Sequence, residues 1–250
     1  SGDIIFEDVS FTYPHTGIQA INQFSLTIKE KDKVLVLGKT GSGKSTLAQL
    51  LLRFYDPGKG IIRIGNTNIN EVPIRQLRSY FSYVPQDVFL FSDTIANNIS
   101  FGLSKGTDIS EIYKVAGIAS IDEEIRSLDQ GYNTLVGERG VTLSGGQKQR
   151  ASIARALLKA GNIMLFDDCL SAVDAKTESK IAHNLNEFLS SRTAIIITHR
   201  ILPHFHFNNI IVMEDGAIIE QGTHDSLISG NGYYAELYHH QVSGEKESGK

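Results

Sequence analysis

Four short runs are apolar almost from end to end: "KVLVLG" at 33–38, "NIMLFD" at 162–167, "TAIIIT" at 193–198 and "NIIVMEDG" at 209–216. Runs of this length, bounded by polar or turn residues, predict strands, and the wholly apolar "KVLVLG" is expected to be buried on both faces. A further strand is predicted for "AIIEQG". Near the N-terminus the pattern changes to alternation rich in β-branched and aromatic residues. "IIFEDVSFTY" and "FSLTIKEKDKVLVLG" therefore predict strands, and "GIIRIGNTNI" predicts a hairpin-like strand pair. Helical spacing marks "KSTLAQLLLRFY", which "DPGKG" stops with Pro and Gly. It also marks "TDISEIYKVAGI", "SIDEEIRSLDQG", "SGGQKQRASIARALLKAG" with a Ser cap, and "AKTESKIAHNLNEFLSS". Strands alternating with helices predict an α/β fold with a mostly parallel sheet.

With 250 residues, 41% of them hydrophobic, the chain can bury a sizeable core as one domain with a lobe. The net charge of −4 gives no indication of bulk nucleic-acid binding. The single Cys169 excludes a disulfide framework and a multi-cysteine zinc site within the chain. No apolar run approaches bilayer-spanning length, and the N-terminal residues lack signal-peptide features, so work at a membrane requires a partner or a further segment. The tail "SGEKESGK" is polar and aperiodic, and 241–250 is expected to be disordered. "HFHF" at 204–207 has a His-x-His look but no third ligand, and reads as a loop.

The chemistry begins at "GKTGSGKST". It fits G-x-x-x-x-G-K-[ST], follows a buried strand and opens a helix, which is the setting of a phosphate-binding loop. Gly38, Thr40, Gly41, Ser42, Gly43 and Thr46 shape a loop whose backbone N–H groups can curl around phosphate oxygens, and the helix N-terminus adds partial positive charge. Lys44 is placed to reach the β- and γ-phosphates of ATP, and the Ser45 hydroxyl to ligate Mg²⁺. Such a loop needs a second magnesium-side carboxylate on a neighbouring buried strand. Asp167, ending "IMLF", fits that role. The expected class is a P-loop NTPase with a RecA-type core.

"LSGGQKQR" at 143–150 narrows this, because it resembles the signature motif of the ATP-binding cassette family. Tyr13 in "FTYP", Gln86 in "YVPQD", "SAVD" after Asp167 and Cys169, and His199 in "IIITHR" follow the family order. The resemblance covers about residues 4–240. It implies a cassette over 1–240, with core and antiparallel β lobe at about 1–86 and 161–240 and an inserted α-helical lobe at about 87–160. It also implies that Tyr13 stacks on adenine and that Gln86 senses Mg²⁺ and the attacking water near the membrane-domain contact. His199 would contact the γ-phosphate of its own site. Ser144, Gly145, Gly146 and Gln147 would close over ATP held by a second cassette, and Asp174 would lie at the dimer interface. Taken alone, Tyr13 fits a core aromatic, Gln86 a loop cap and His199 a strand-end histidine; the complete set gives them their roles.

"TLVGERG" at 134–140 resembles the segment that precedes the signature in exporter-type cassettes, where Glu138 and Arg139 would touch the membrane domain. Such a cassette would sit at the cytoplasmic face of the cell membrane, held by that domain. The residue after the Walker B aspartate is usually Glu in this family, the general base for water. Here it is Asp168, one methylene shorter. This predicts weakened hydrolysis at the chain's own site, unless a shifted backbone or a second water restores it. Asp168 beside an intact "LSGGQ" resembles one half of a heterodimeric exporter whose partner carries Glu. A homodimeric exporter cassette and a non-transporter ATPase clamp are the alternatives.

Overall fold

The computed structural model describes residues 2–103, 107–137 and 140–248. The elements run β1 (Ile4–Thr12), β2 (Gln19–Ile28), β3 (Lys33–Gly38), α1 (Lys44–Leu51), β4 (Lys59–Ile64), β5 (Thr67–Asn68), α2 (Ile74–Ser79) and β6 (Phe81–Val84). Then come α3 (Ile95–Ile99), α4 (Ile109–Ile118), α5 (Asp122–Arg126), α6 (Gly145–Lys159), β7 (Ile163–Asp167), α7 (Ala175–Phe188) and β8 (Thr193–Ile197). The chain closes with β9 (Asn209–Glu214), β10 (Ala217–Gly222), α8 (His224–Ile228) and α9 (Tyr233–Ser248).

Two sheets form. One is antiparallel, ordered β2-β1-β4-β5. The other is ordered β10-β9-β3-β8-β7-β6, parallel throughout except for the antiparallel edge strand β10. The continuous apolar runs are explained by what lies on each face of the parallel sheet. Leu35, Leu37, Met164, Phe166, Ile196 and Val212 point to a cluster shared with α3, α4, α6 and α7. Their chain neighbours Val34, Val36, Leu165, Ile197 and Ile211 point to a second cluster shared with α1 and the antiparallel sheet. Successive side chains leave a strand on opposite faces, so burial of both faces removes the polar alternation. Between β6 and β7 the regular elements among the described residues are helical, and α6 packs on α3, α4 and β6.

Two expectations are corrected. The first helix stops at Leu51, before "DPGKG": Arg53 adopts φ 50° and Phe54 N donates to Gln49 O at 2.8 Å, so the chain turns ahead of the proline. The segment read as an irregular tail is helical to Ser248. Extending an established helix fixes one residue per hydrogen bond gained, without a new nucleus, and Glu245, Lys246 and Glu247 are good helix formers. Lys31 takes φ 69°, a left-handed conformation that favours glycine, and its N–H donates to Thr193 Oγ1 at 2.8 Å. Among the described residues no helix is long and apolar enough to cross a membrane.

Candidate active site

Parallel strands bring their C-terminal ends to one edge, and there β3, β7 and β8 release the loops that build a cleft of about 310 Å³. It is lined by Tyr13, Thr40, Gly41, Gly43, Lys44, Ser45, Thr46, Gln86, Asp167, Asp168 and His199, together with Ile18, Ala20, Ile197 and Thr198. Gly38 and Ser42 are buried within the same loop. Gly43 has φ 96°, and a Cβ there would collide with Ala20 O, so the loop closes against β2 only without a side chain. Gly41 has φ 85° with open space around it, leaving its backbone bare toward the cleft.

Lys44 lies across this loop. Its Nζ donates to Gly38 O and Lys39 O, both at 2.7 Å, and to Ser42 Oγ at 3.3 Å. Burial lowers its pKa, opposed by the negative charges of Asp168 and Asp167. The Ser45 hydroxyl donates to Asp167 Oδ1 at 3.0 Å, joining the start of α1 to the end of β7. Asp167 is only 3% exposed. Burial raises its carboxyl above the ordinary range, against the hydrogen bond from Ser45, while Asp168 adds to the rise. Tyr83 OH points to Asp167 Oδ2 at 3.5 Å, and burial first, then the Asp167 charge, pushes this phenol up.

Asp168 has φ 43°, a left-handed conformation that an aspartate tolerates. Its N–H donates to Ile197 O at 2.8 Å. One carboxylate oxygen carries two contacts: Thr198 Oγ1 donates to Oδ1 at 3.1 Å, and His199 Nδ1 lies 3.2 Å from it. With Nδ1–H turned to the carboxylate, Nε2 is the ring atom left for a ligand. At the other end of the cleft the Tyr13 hydroxyl donates to Gln49 Oε1 at 2.8 Å and lies 2.9 Å from Thr46 Oγ1, while Phe11 and Tyr55 pack edge-on to its ring.

The signature residues are not in this cleft. Ser144 caps α6, accepting from Gln147 N at 3.2 Å while Gln147 Oε1 accepts from Ser144 N at 2.9 Å. Ser144 and Gly145 are exposed. Asp174 caps α7 by accepting from Thr177 N at 3.0 Å, and that bond lowers its pKa. Glu138 and Arg139 lie outside the described residues. Sequence reasoning missed Tyr83 and Thr198. Thr198 was readable beside His199, whereas Tyr83 reaches Asp167 only through sheet pairing.

A glycine loop between a buried strand and a helix, a lysine across it and a serine bonded to a strand-end aspartate define a P-loop nucleotide-binding protein. A family model for ABC transporters matches residues 21–171. Over 248 residues the chain is 44% identical to the probable multidrug resistance ABC transporter ATP-binding/permease protein YheI of Bacillus subtilis, covering 99% of this chain and 42% of that protein. It is 43% identical over 244 residues to an ATP-dependent lipid A-core flippase of Idiomarina loihiensis, covering 98% and 42%. The solved structure of a bacterial Atm1-family ABC exporter with ATP bound matches with a TM-score of 0.89 at 40% identity, over 96% of this chain and 42% of its own. The chain belongs to the ABC transporter family and has the fold of its nucleotide-binding domain. It spans less than half the length of these relatives.

Proposed function

We propose that the chain is the ATP-driven motor of a membrane exporter and that its own nucleotide site turns over slowly. Tyr13 stacks on the adenine, the loop from Gly38 to Thr46 holds the phosphates, and Lys44 exchanges its backbone acceptors for phosphate oxygens. Ser144, Gly145, Gly146 and Gln147 close over the nucleotide of a facing cassette, so ATP joins two cassettes. A membrane domain, contacted through Glu138 and the Gln86 loop, holds the chain at the cytoplasmic face and carries the substrate. What supports the two-cassette reading is that the signature helix presents exposed Ser144 and Gly145 away from the cleft formed by Lys44, Asp167 and His199.

The residues at the cleft suit magnesium. Ser45 Oγ and Asp167 Oδ1 are hard oxygen donors 3.0 Å apart, and burial disfavours the ionised form of Asp167, which a divalent cation would favour. Ser45, Asp167 and Gln86 would hold Mg²⁺, which supplies charge neutralisation at the phosphate oxygens.

Slow turnover rests on Asp168. Its carboxylate is short, and Thr198 and His199 both engage its Oδ1, tying that oxygen to the segment after β8. A misplacement of the base by about 1 Å can cost about a hundredfold in rate. The competent site of the pair then lies on a partner with Glu at this position. The test is single-turnover hydrolysis by the assembled transporter, wild type against Asp168→Glu. A faster Glu variant supports the reading, and equal rates at this site sink it in favour of a symmetric homodimer.

A further inference from the structure

The start of the signature helix is gripped by a carboxylate from the neighbouring short helix. Glu124 on α5 accepts from Gln147 Nε2 and from Arg150 Nη2, both at 2.9 Å, and its other oxygen pairs with Arg150 Nη1 at 2.7 Å. Arg150 is buried. It also donates to Ser120 O at 3.2 Å and to Gly146 O at 3.3 Å. The fork thus joins α5, the turn before it and the first turn of α6.

This arrangement fixes more than position. A carboxylate can only accept, so Glu124 must face the NH₂ end of the Gln147 amide. The Gln147 oxygen is thereby turned to Ser144 N–H, and Gln147 N–H is bonded to Ser144 Oγ. Ser144 Oγ already accepts, and among the described residues it donates to no partner, which leaves its proton for an outward ligand. The negative charge of Glu124 would oppose phosphate binding here, but the two-bond pairing with Arg150 offsets it.

We propose that Glu124 is a positioning residue for the signature: acting through Gln147 and Arg150, it orients Ser144 as a donor toward the phosphate of a nucleotide bound by the facing cassette. This rests on the two-cassette reading above.

Glu124→Gln tests it, because the shape is kept while the charge is lost and one acceptor becomes a donor. In the full transporter kcat is expected to fall by about tenfold or more with KM for ATP little changed. Binding of a fluorescent ATP analogue to the chain's own P-loop is expected to be unaffected. Glu124→Asp, which keeps the acceptors, is expected to recover part of kcat. Wild-type ATPase in the Gln variant overturns the proposal, as does a loss of own-site affinity parallel to kcat. A kcat loss that follows only a lowered melting temperature, and vanishes at a cooler assay temperature, also overturns it. ATP-dependent pairing of wild-type cassettes is read in parallel. Its absence sinks the two-cassette reading and this proposal together, whereas normal pairing with an unchanged Gln variant sinks Glu124 alone.

Discussion

Lys44 and Asp167 both sit where burial disfavours their charge, and each has a proposed role that requires it. Lys44 directs its ammonium to three loop acceptors, a set that phosphate can replace. Lys44→Ala removes a charge-assisted contact and is expected to weaken MgATP binding by about 1.5–3 kcal/mol. Calorimetry measures this directly, and unchanged affinity would rule out this loop as the site. Asp167 gives a pH dependence of definite sign. Its folded pKa lies above the unfolded one, so the folded state binds the proton more tightly, and stability falls as pH rises through that interval. At neutral pH, above the unfolded value, this upward shift is a net cost to the fold. Asp167→Asn is therefore expected to melt higher than wild type at neutral pH without nucleotide. The gap should narrow as pH falls toward the unfolded carboxylate value of about 3.9. The same variant is expected to lose Mg²⁺-dependent ATP binding; a melting point below wild type at neutral pH would contradict the sign. Lys44, Ser45 and Asp167 were legible in the sequence because strand, loop and helix are contiguous around them. Tyr83 and Glu124 were not, since each meets its partner only through tertiary packing between distant segments.

The strands were the most legible elements, because burial on both faces leaves an unbroken apolar run. Helix ends were less so. Proline and glycine at 57–58 suggested a stop that Arg53 makes earlier, and the polar tail hid the continuation of α9. That helix is also fastened in a way no periodicity reports. Gln241 Oε1 accepts from Ile201 N at 2.6 Å and its Nε2 donates to Ile201 O at 3.2 Å, pairing a side-chain amide with the backbone two residues beyond His199. Ile201 is buried, so removing this partner leaves a buried N–H without its acceptor. Gln241→Leu is expected to destabilise the fold by about 1–3 kcal/mol. A lower urea midpoint with an unchanged slope would show this as a loss of stability without a change in the exposed area.

At the scale of the whole molecule the separation of cleft and signature has a kinetic consequence. If ATP is shared between two cassettes, it stabilises the pair as any ligand stabilises the only state that binds it. The pair then lasts until hydrolysis removes the γ-phosphate from the junction. Two copies of this chain would each place Asp168 at the cleft, with Thr198 and His199 engaging its carboxylate, so both sites would be slow. MgATP is therefore expected to convert the isolated chain from monomer to a persistent dimer, and Asp168→Glu to shorten the lifetime of that dimer. The factor should match the increase in single-turnover rate, up to about a hundredfold if base placement alone is at fault. Size-exclusion chromatography after a chase that removes free ATP gives the lifetime. Equal lifetimes for the two proteins would mean that Asp168 already positions water as well as a glutamate does, and the asymmetric pairing would lose its reason. A dimer that forms equally without nucleotide would instead show that ATP is not what joins the cassettes.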